Sequence, residues 1–485
     1  MARIRFAAGV LLGAVALRLL TAKGLINYDT LYTLVWGRQI AHGIGPDLEV
    51  AIAPTPHPLA TLGATVLSPL SSLRVDGLHG ELAATATLAV AYLSLALLGW
   101  VVFALGREWF NAAAGLLAAA IVLTRVPVLD FGARAYVDIP YLVLIMGALL
   151  VETRRPRAGG PVLGLLALAG LLRPEAWLFS AVYIAWLLGP GVRSSLRAAG
   201  PGRAAAWRDA APLVALGASA PLLWGLHDLL LTGNALHSLT GTRDNAAVLG
   251  RVTGLENVPA TLPRRIGEVL REPVLLAAAG GGVLALIWHR DRRTRLGAAA
   301  GVLAVAAFCV LAAAGLPIIT RYVLPASALL AIFAGAGAFG WMDLRRGARR
   351  TWWARFGALA LILLALYVPA QAQRIDSLGD ALSRQSAIQG DLGRIVRGGL
   401  QCRPLAVSNR RPIPLLAFWT RLDPGSIVDA QSGVPPRATY LLPRTREVAR
   451  DYILDKRDLD RRVAPAPAGF RILRRNASWI AADRC

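Results

Sequence analysis

Several features common in soluble enzymes are scarce in this sequence of 485 residues. Charged residues make up only 17% of the chain, whereas hydrophobic residues make up 55%. The three cysteines and six histidines form no metal-ligand cluster, and the sequence contains no P-loop, Rossmann glycine pattern or internal repeat. These absences exclude a soluble protein of ordinary composition and the common nucleotide-binding and zinc-binding motifs.

Basic residues are in excess, 52 against 29 acidic residues, but only Lys23 and Lys456 are lysines. The apolar residues form long runs separated by short arginine-rich linkers, which is typical of a polytopic helical membrane protein. The basic charge therefore indicates topology rather than nucleic-acid binding, because linkers rich in arginine face the cytoplasm. These linkers include Arg5, Arg107, Arg154, Arg193, Arg197, Arg293 and Arg346.

Membrane-length apolar segments predict about eleven transmembrane helices by the twenty-residue rule. They cover roughly 6–22, 81–105, 112–128, 138–151, 160–172, 174–189, 210–231, 272–288, 296–314, 322–341 and 352–369. The first segment ends without a small-residue cleavage site, so we expect a retained helix with a cytoplasmic N-terminus. The C-terminal region is then expected outside, on the outer face of a bacterial inner membrane.

Three segments are expected on the outer side. The first, 23–80, is predicted to form two helices lying on the membrane surface, and the others cover about 125–140 and 232–272. Together with the spans, they define a predicted membrane domain at 1–369.

Residues 370–485 have a different composition and are predicted to form a small soluble α/β domain outside the membrane. Short β-like runs alternate with proline-rich and charged turns at 404–408, 426–429, 438–442, 470–473 and 478–481. Cys402 and Cys485 both fall in this oxidising compartment, so we predict that they form a disulfide. Cys309 lies within a span and is expected to pack there.

Four short motifs follow one another in a recognisable order. Tyr-Asp-x-x-Tyr at 28–32 follows the first span, and Pro-x-Pro-x-Pro-Leu ends at Leu59. Asp138-Ile139-Pro140 opens a span, and Arg321-Tyr322 precedes Pro325 in another. This ordered set resembles the GT-C superfamily, the integral membrane glycosyltransferases that use polyprenyl-phosphate sugars, in particular the protein O-mannosyltransferase and lipid A aminoarabinose transferase group. Two departures are that Thr30 stands where the family often has Glu, and that His57-Pro58-Leu59 replaces Pro-Pro-Leu.

Two carboxylates are candidate catalytic groups. The resemblance implies that Asp29 is the base that deprotonates the acceptor hydroxyl, a role suited to a carboxylate at the lipid–water boundary. Asp138 corresponds to the second acidic site of the family, as a partner of the base or as a group that orients the acceptor. The alternative for both residues is a helix N-cap, which Asp serves well.

A leaving polyprenyl phosphate requires cations, and arginine binds phosphate with two hydrogen bonds. Arg134, Arg173 and Arg321 fall at predicted outer ends of spans, where the family's phosphate ligands lie. The alternative for each is snorkelling to the interface. Arg173 has a further alternative, a structural ion pair with Glu175, and Arg243 and Arg265 are loop candidates for the phosphate.

Aromatic and histidine side chains complete the expected substrate site. His57 can bind a sugar or assist in proton transfer, or it can be ordinary polar surface. Tyr28, Tyr32 and Tyr322 are candidate substrate contacts, whereas Tyr32 and Trp36 have the alternative of an interfacial aromatic belt.

The sequence therefore predicts an inverting membrane glycosyltransferase. It would move a sugar from a polyprenyl phosphate to a hydroxyl of an envelope glycan, lipid or protein, without metal or other cofactor and without binding nucleic acid. Two alternatives are a transporter or flippase of lipid-linked sugars, which would require ionisable residues at mid-membrane, and a non-catalytic envelope assembly protein.

Overall fold

We describe the protein from a computed structural model that covers residues 2–50, 52–189, 201–400, 402–433, 435–454 and 462–485. The expected cytoplasmic residues Arg193 and Arg197 lie outside these ranges.

The N-terminal four fifths of the chain form a bundle of mostly apolar helices. The helices are α1 (Ala2–Leu20), α2 (Tyr28–Ala41), α3 (Pro58–Val66), α4 (Ser68–Ser72), α5 (Glu81–Trp109), α6 (Ala112–Thr124), α7 (Val126–Ala133), α8 (Asp138–Arg154), α9 (Gly160–Gly170), α10 (Glu175–Leu187), α11 (Pro201–Thr232), α12 (His237–Val248), α13 (Val258–Leu270), α14 (Glu272–Leu284), α15 (Arg292–Ala313), α16 (Leu324–Phe339) and α17 (Ala348–Arg397). A two-stranded hairpin, β1 (Arg74–Val75) and β2 (Leu78–His79), separates α4 from α5.

In the described part of the chain, six helices are long and apolar enough to cross a membrane, or seven if α6 and α7 form one bent span. The axes of α6 and α7 differ by 62°, and Pro127 opens α7 directly after the bend. The apolar helices α9 and α10 are shorter than a full span. The expected number of about eleven transmembrane helices therefore stays a prediction.

Small residues place α16 at the centre of the bundle. Fourteen of its sixteen residues are buried. A Cβ atom at Gly335 would lie 2.2 Å from the carbonyl oxygen of Ala114, and one at Gly337 would lie 2.3 Å from that of Ala277. Glycine thus allows α6 and α14 to approach the backbone of α16 closely, as small residues do in membrane helix packing.

The sequence led us to expect that the first outer segment, 23–80, lies on the membrane surface. The structure instead encloses part of it within the protein. In α2, every residue from Thr30 to Gln39 is buried. Gly37 brings α2 against α3, because a Cβ there would lie 2.5 Å from the main-chain carbon of Ala64. The opposite side of α2 is covered by the C-terminal domain.

The C-terminal domain is built on a five-stranded sheet of order β4-β3-β5-β7-β6. Its elements are β3 (Leu405–Val407), α18 (Ile413–Thr420), β4 (Ile427–Asp429), β5 (Ala438–Pro443), α19 (Arg446–Val448), β6 (Arg471–Arg475) and β7 (Trp479–Arg484). Strand β3 is parallel to β4 and β5, whereas β7 is antiparallel to β5 and β6. Each strand coincides with one of the predicted β-like runs.

Two features tie this domain together and to the bundle. The sulfur atoms of Cys402 and Cys485 are bonded, with their Cα atoms 5.5 Å apart. Helix α17 runs without a break through the expected boundary at residue 369 and spans about 75 Å at 1.5 Å per residue. Its end holds the sheet, since the Trp479 indole donates to the Ile388 carbonyl oxygen at 2.9 Å.

The domain docks on α2 through buried polar groups. The guanidinium group of Arg38 donates to the carbonyl oxygens of Ala417 and Phe418 at 3.4 Å, at the end of α18. The Gln39 amide donates to the Asp423 carboxylate at 2.9 Å. Helix α2 is therefore fixed from both sides.

Candidate active site

Asp29 lies in the first turn of α2 and does not cap it. Asn27 is the N-cap, and its side-chain oxygen accepts from the Thr30 amide at 3.0 Å. The interpretation of Asp29 as an N-cap is therefore wrong. Its side chain is 35% exposed, and its carboxylate lies 3.5 Å from the guanidinium group of Arg321.

Arg321 lies in a 3₁₀ turn, Thr320–Val323, that leads into α16. The preceding Thr320 hydroxyl donates to Glu268 at 2.8 Å, which fixes the turn against α13. The Nε atom of Arg321 is buried and has no hydrogen-bond partner. Arg321 is therefore a cation whose hydrogen-bonding capacity is only partly used.

Asp138, Arg173 and Glu175 form a buried ionic triad. Arg173 contacts the Asp138 carboxylate through one terminal nitrogen and the Glu175 carboxylate through two others, at 2.8 and 3.1 Å. The three residues are 1%, 4% and 6% exposed. Val137 is the N-cap of α8 and makes no side-chain cap, so the interpretation of Asp138 as an N-cap is also wrong. The structural ion pair considered for Arg173 is present in the structure.

Tyr322 connects the triad to Arg321. The Arg173 guanidinium carbon lies 4.5 Å from the centre of the Tyr322 ring, and that of Arg321 lies 5.9 Å from it. Cations over an aromatic face are attracted by its quadrupole. Asp29, Arg321, Tyr322, Arg173 and Asp138 thus form one continuous row.

Buried polar atoms without partners mark the inner end of this row. They are one carboxylate oxygen of Asp138, one of Glu175 and the hydroxyl of Tyr141. Tyr141 was not identified from the sequence, although it lies one helical turn after Asp138. Its ring centre is 5.6 Å from the Arg173 guanidinium carbon.

His57 reaches the same site from the segment before α3. Burial, followed by the charges of Arg173 and Arg321, lowers its pKa to about 3. Its ring stands edge-on to Trp224, with centres 5.6 Å apart, and its Nδ1 atom has no partner. His57 is thus a neutral imidazole rather than polar surface.

Tyr136, also missed from the sequence, stands near Asp29. Burial, followed by the Asp29 charge, raises the pKa of Tyr136 to about 12. Its phenol therefore stays protonated at neutral pH and can donate a hydrogen bond.

The aromatic residues of α2 are inside the protein. Tyr28, Tyr32 and Trp36 form a stack with ring centres 4.9 and 5.4 Å apart. Tyr32 is fully buried and Trp36 is 1% exposed, so the interpretation of a membrane aromatic belt is wrong for both. Burial raises the pKa of Tyr28 to about 12.

The other arginine candidates have local partners. Arg134 pairs with Asp130 at 2.6 Å, and its carbonyl oxygen accepts from the Asn27 amide at 3.0 Å. Arg243 donates to the Ala314 carbonyl oxygen at 2.7 Å, and Arg265 pairs with Glu268. Among the five candidate arginines, Arg321 has the weakest pairing with protein acceptors.

We compared the chain with known proteins. No family model and no curated protein matches it. The structure of ArnT from Cupriavidus metallidurans bound to undecaprenyl phosphate is similar over 98% of this chain and 97% of that one, with a TM-score of 0.52 and 13% identity. The chain has the GT-C fold. An archaeal oligosaccharyltransferase from Archaeoglobus fulgidus in the apo form is similar over 87% of this chain and 64% of that one, with a TM-score of 0.49 and 12% identity.

In this GT-C fold the C-terminal domain also contributes charge. Arg410 and Arg411, which directly follow β3, both act on the Tyr28 phenol beside Asp29. Sequence analysis missed them because nothing local brings residues about 380 positions apart together. They add positive potential at the mouth of the site.

In the described part of the chain, the group of side chains that could hold a metal lies in the C-terminal domain rather than in the helix bundle. In the described ranges, the group of His, Cys, Asp and Glu side chains close enough to share an ion is Cys402, Asp483 and Cys485. The two sulfur atoms of that group are already bonded to each other. Metal independence of the activity stays a prediction.

Proposed function

We propose that this protein is an integral membrane inverting glycosyltransferase. It takes a sugar from a polyprenyl-phosphate donor and transfers it to a hydroxyl of an envelope glycan, lipid or protein. The observation that carries the proposal is the pairing of a partly exposed carboxylate, Asp29, with an incompletely satisfied cation, Arg321, at 3.5 Å. Base and phosphate-binding cation are the two groups that this transfer needs.

The reaction is a single displacement. Asp29 accepts the proton of the acceptor hydroxyl, whose oxygen forms a bond to the anomeric carbon of the sugar. The bond from that carbon to the phosphate oxygen breaks, and its electron pair leaves with polyprenyl phosphate. Arg321 stabilises the charge that develops on the phosphate. Attack from the face opposite the leaving group inverts the anomeric centre.

Asp138 and Arg173 serve this reaction as positioning residues. The Arg173 charge is already matched by two carboxylates, so it is a poor ligand for a phosphate. Its guanidinium group instead holds the Tyr322 ring beside Arg321. Asp138 therefore acts through Arg173 and Tyr322 rather than on the acceptor proton.

The donor class and the location belong to the same proposal. The similar ArnT structure holds undecaprenyl phosphate, which supports a lipid phosphate as leaving group here. We place the protein in a bacterial inner membrane with a cytoplasmic N-terminus, because the arginine-rich linkers lie at the end of the spans opposite Asp29.

The test uses the full chain in nanodiscs with labelled polyprenyl-phosphate sugars and an envelope extract as acceptor. Release of free polyprenyl phosphate is measured for wild type and Asp29→Asn. We expect turnover by wild type and a loss of at least about 10²-fold in the variant, the scale of general base catalysis.

Asp76→Asn is the matched control, since Asp76 is an exposed turn residue of the same outer segment. The assignment of Asp29 is refuted if both variants turn over like wild type. Saturable donor binding without turnover in wild type would instead support the transporter alternative.

A further inference from the structure

A cavity lined by both charged and apolar side chains lies outside the row from Asp29 to Asp138. It has a volume of about 410 Å³ and lies between the start of α7, the end of α13 and the middle of α17. Its lining includes Val126, Pro127, Glu268, Arg271, Gln371 and Arg374. We call it the Arg271 pocket.

Three arginines converge at this pocket. Arg125, at the bend before α7, is repelled by the charges of Arg374 and Arg271. Arg125 and Arg374 both lie against the Tyr367 ring, with guanidinium carbons 5.9 and 5.7 Å from its centre. Cations gathered this closely repel one another unless an anion joins them.

The protein supplies no such anion within the part of the chain that the structure describes. The one carboxylate lining the pocket, Glu268, is already shared by Arg264, Arg265 and the Thr320 hydroxyl. Arg125 is held by the carbonyl oxygens of Ile121 and Leu270 instead. The pocket therefore carries uncompensated positive charge.

Two buried polar atoms in the cluster have no partner. They are the Nε atom of Arg271 and the hydroxyl of Tyr367. Arg271 also has a φ of 69° and a ψ of 163°, a conformation that is costly for any residue with a Cβ and persists only where the surroundings impose it. Unsatisfied donors and imposed backbone geometry are typical of a site built for a ligand.

The surface next to the pocket indicates the rest of that ligand. Leu366 and Val368, one to two turns earlier on α17, are 73% and 62% exposed. The exposed face of α17 thus changes from apolar to cationic at the level of the pocket. A lipid has the same arrangement, with acyl chains below an anionic headgroup.

We propose that the Arg271 pocket binds the phosphate headgroup of a membrane lipid, separately from the phosphate at Arg321. Arg271 and Arg374 are its phosphate ligands, and the chains of the lipid lie along Leu366 and Val368. Glu268 lines this pocket and also holds Thr320, the residue before Arg321. The pocket therefore lies next to the turn that carries Arg321.

The test measures binding to the purified full chain by titration calorimetry, so it does not depend on turnover. The probes are dioctanoyl phosphatidic acid, dioctanoyl phosphatidylcholine and inorganic phosphate. We expect Arg271→Gln/Arg374→Gln to weaken phosphatidic acid binding at least about 100-fold, or about tenfold for each charged hydrogen-bonding partner. Arg271→Lys/Arg374→Lys should retain most of the affinity, since the charge remains.

Arg345→Gln/Arg346→Gln, exposed at the opposite end of the bundle, is the control and should bind like wild type. Thermal unfolding of each variant verifies folding. Unchanged affinity of Arg271→Gln/Arg374→Gln for phosphatidic acid overturns the assignment of the site. Inorganic phosphate binding as tightly as phosphatidic acid overturns the assignment to a lipid. A loss of phosphatidic acid binding in Arg321→Gln overturns the separation of the two phosphate sites.

Discussion

Arg173 lies between α9 and α10, and Arg321 lies in the turn before α16. The structure predicts different consequences of replacing each of them with Gln. Arg173→Gln leaves Asp138 and Glu175, which are 1% and 6% exposed, as unpaired buried carboxylates. Breaking a buried ionic cluster in this way costs about 3–5 kcal/mol. Arg321→Gln removes a pair whose acid is 35% exposed, and such pairs contribute at most about 1 kcal/mol.

These free energies translate into measurable shifts of the unfolding midpoint. An unfolding entropy of about 2.1 cal/mol/K per residue gives about 1 kcal/mol/K for 485 residues. Arg173→Gln should therefore lower the midpoint by about 3–5 °C, and Arg321→Gln by about 1 °C or less. The loss of turnover should follow the opposite order. Under the proposed function Arg321 stabilises the leaving phosphate, so Arg321→Gln should lower turnover about 10²–10³-fold.

Tryptophan fluorescence during heating and donor turnover measure the two effects on the same samples. The triple variant Asp138→Leu/Arg173→Met/Glu175→Met is the control for unpaired charge, because an apolar replacement of a whole buried ionic cluster is often neutral or stabilising. Equal midpoint shifts in the two single variants, or a triple variant less stable than Arg173→Gln, would refute the reasoning.

Four further predictions concern other parts of the molecule. Gly37→Ala should lower turnover more than about tenfold, because its Cβ would lie 2.5 Å from the α3 backbone and displace the helix that carries Asp29, the proposed base. Gly63→Ala is the control and should leave turnover unchanged, because a Cβ there would meet nothing within 4 Å. The pKa of His57 is lowered from 6.5 to about 3, so the unfolded chain binds a proton that the native state does not as pH falls below 6.5. Native stability should therefore fall by about 1.4 kcal/mol more per pH unit in wild type than in His57→Gln, in unfolding measured between pH 6 and 4. Cys402→Ser removes the disulfide that closes a loop of 83 residues and should destabilise the C-terminal domain by about 4–5 kcal/mol. Proteolysis of that domain should become faster in this variant, whereas Cys309→Ser, which removes a free cysteine, should leave its rate unchanged. Turnover should persist in excess EDTA, and a loss restored by a divalent cation would contradict metal independence.

The strands of the C-terminal domain were predictable because short apolar runs between proline-rich turns have few other structures available. The gathering of Asp29, Asp138, Arg173 and Arg321 was also predictable, since each motif falls at the same end of a span. Which groups each of these residues contacts there was not predictable. Asn and Asp are equally favourable residue types at a helix N-cap. Asn27 rather than Asp29 is the cap because α2 begins at Tyr28, and the sequence does not specify that starting residue.

The difference between the two arginines lies in which carboxylates face them, and those come from separate helices. The burial of α2 has the same origin, because Arg38 and its acceptors at Ala417 and Phe418 are about 380 residues apart. Local patterns contain no information about such contacts. Tyr136 and Tyr141 were missed because nothing in their local sequence distinguishes them from tyrosines that only pack in the bundle.

The enclosure of α2 between the bundle and the C-terminal domain has a consequence for biosynthesis. The helix that carries Asp29 leaves the ribosome about 380 residues before the residues that clamp it, near Ala417 and Asp423. A nascent chain therefore contains the membrane helices described above before Asp29, the proposed base, is fixed in position. Under the proposed function, the protein becomes active only after its C-terminal domain has folded, so chains truncated before that domain are inactive.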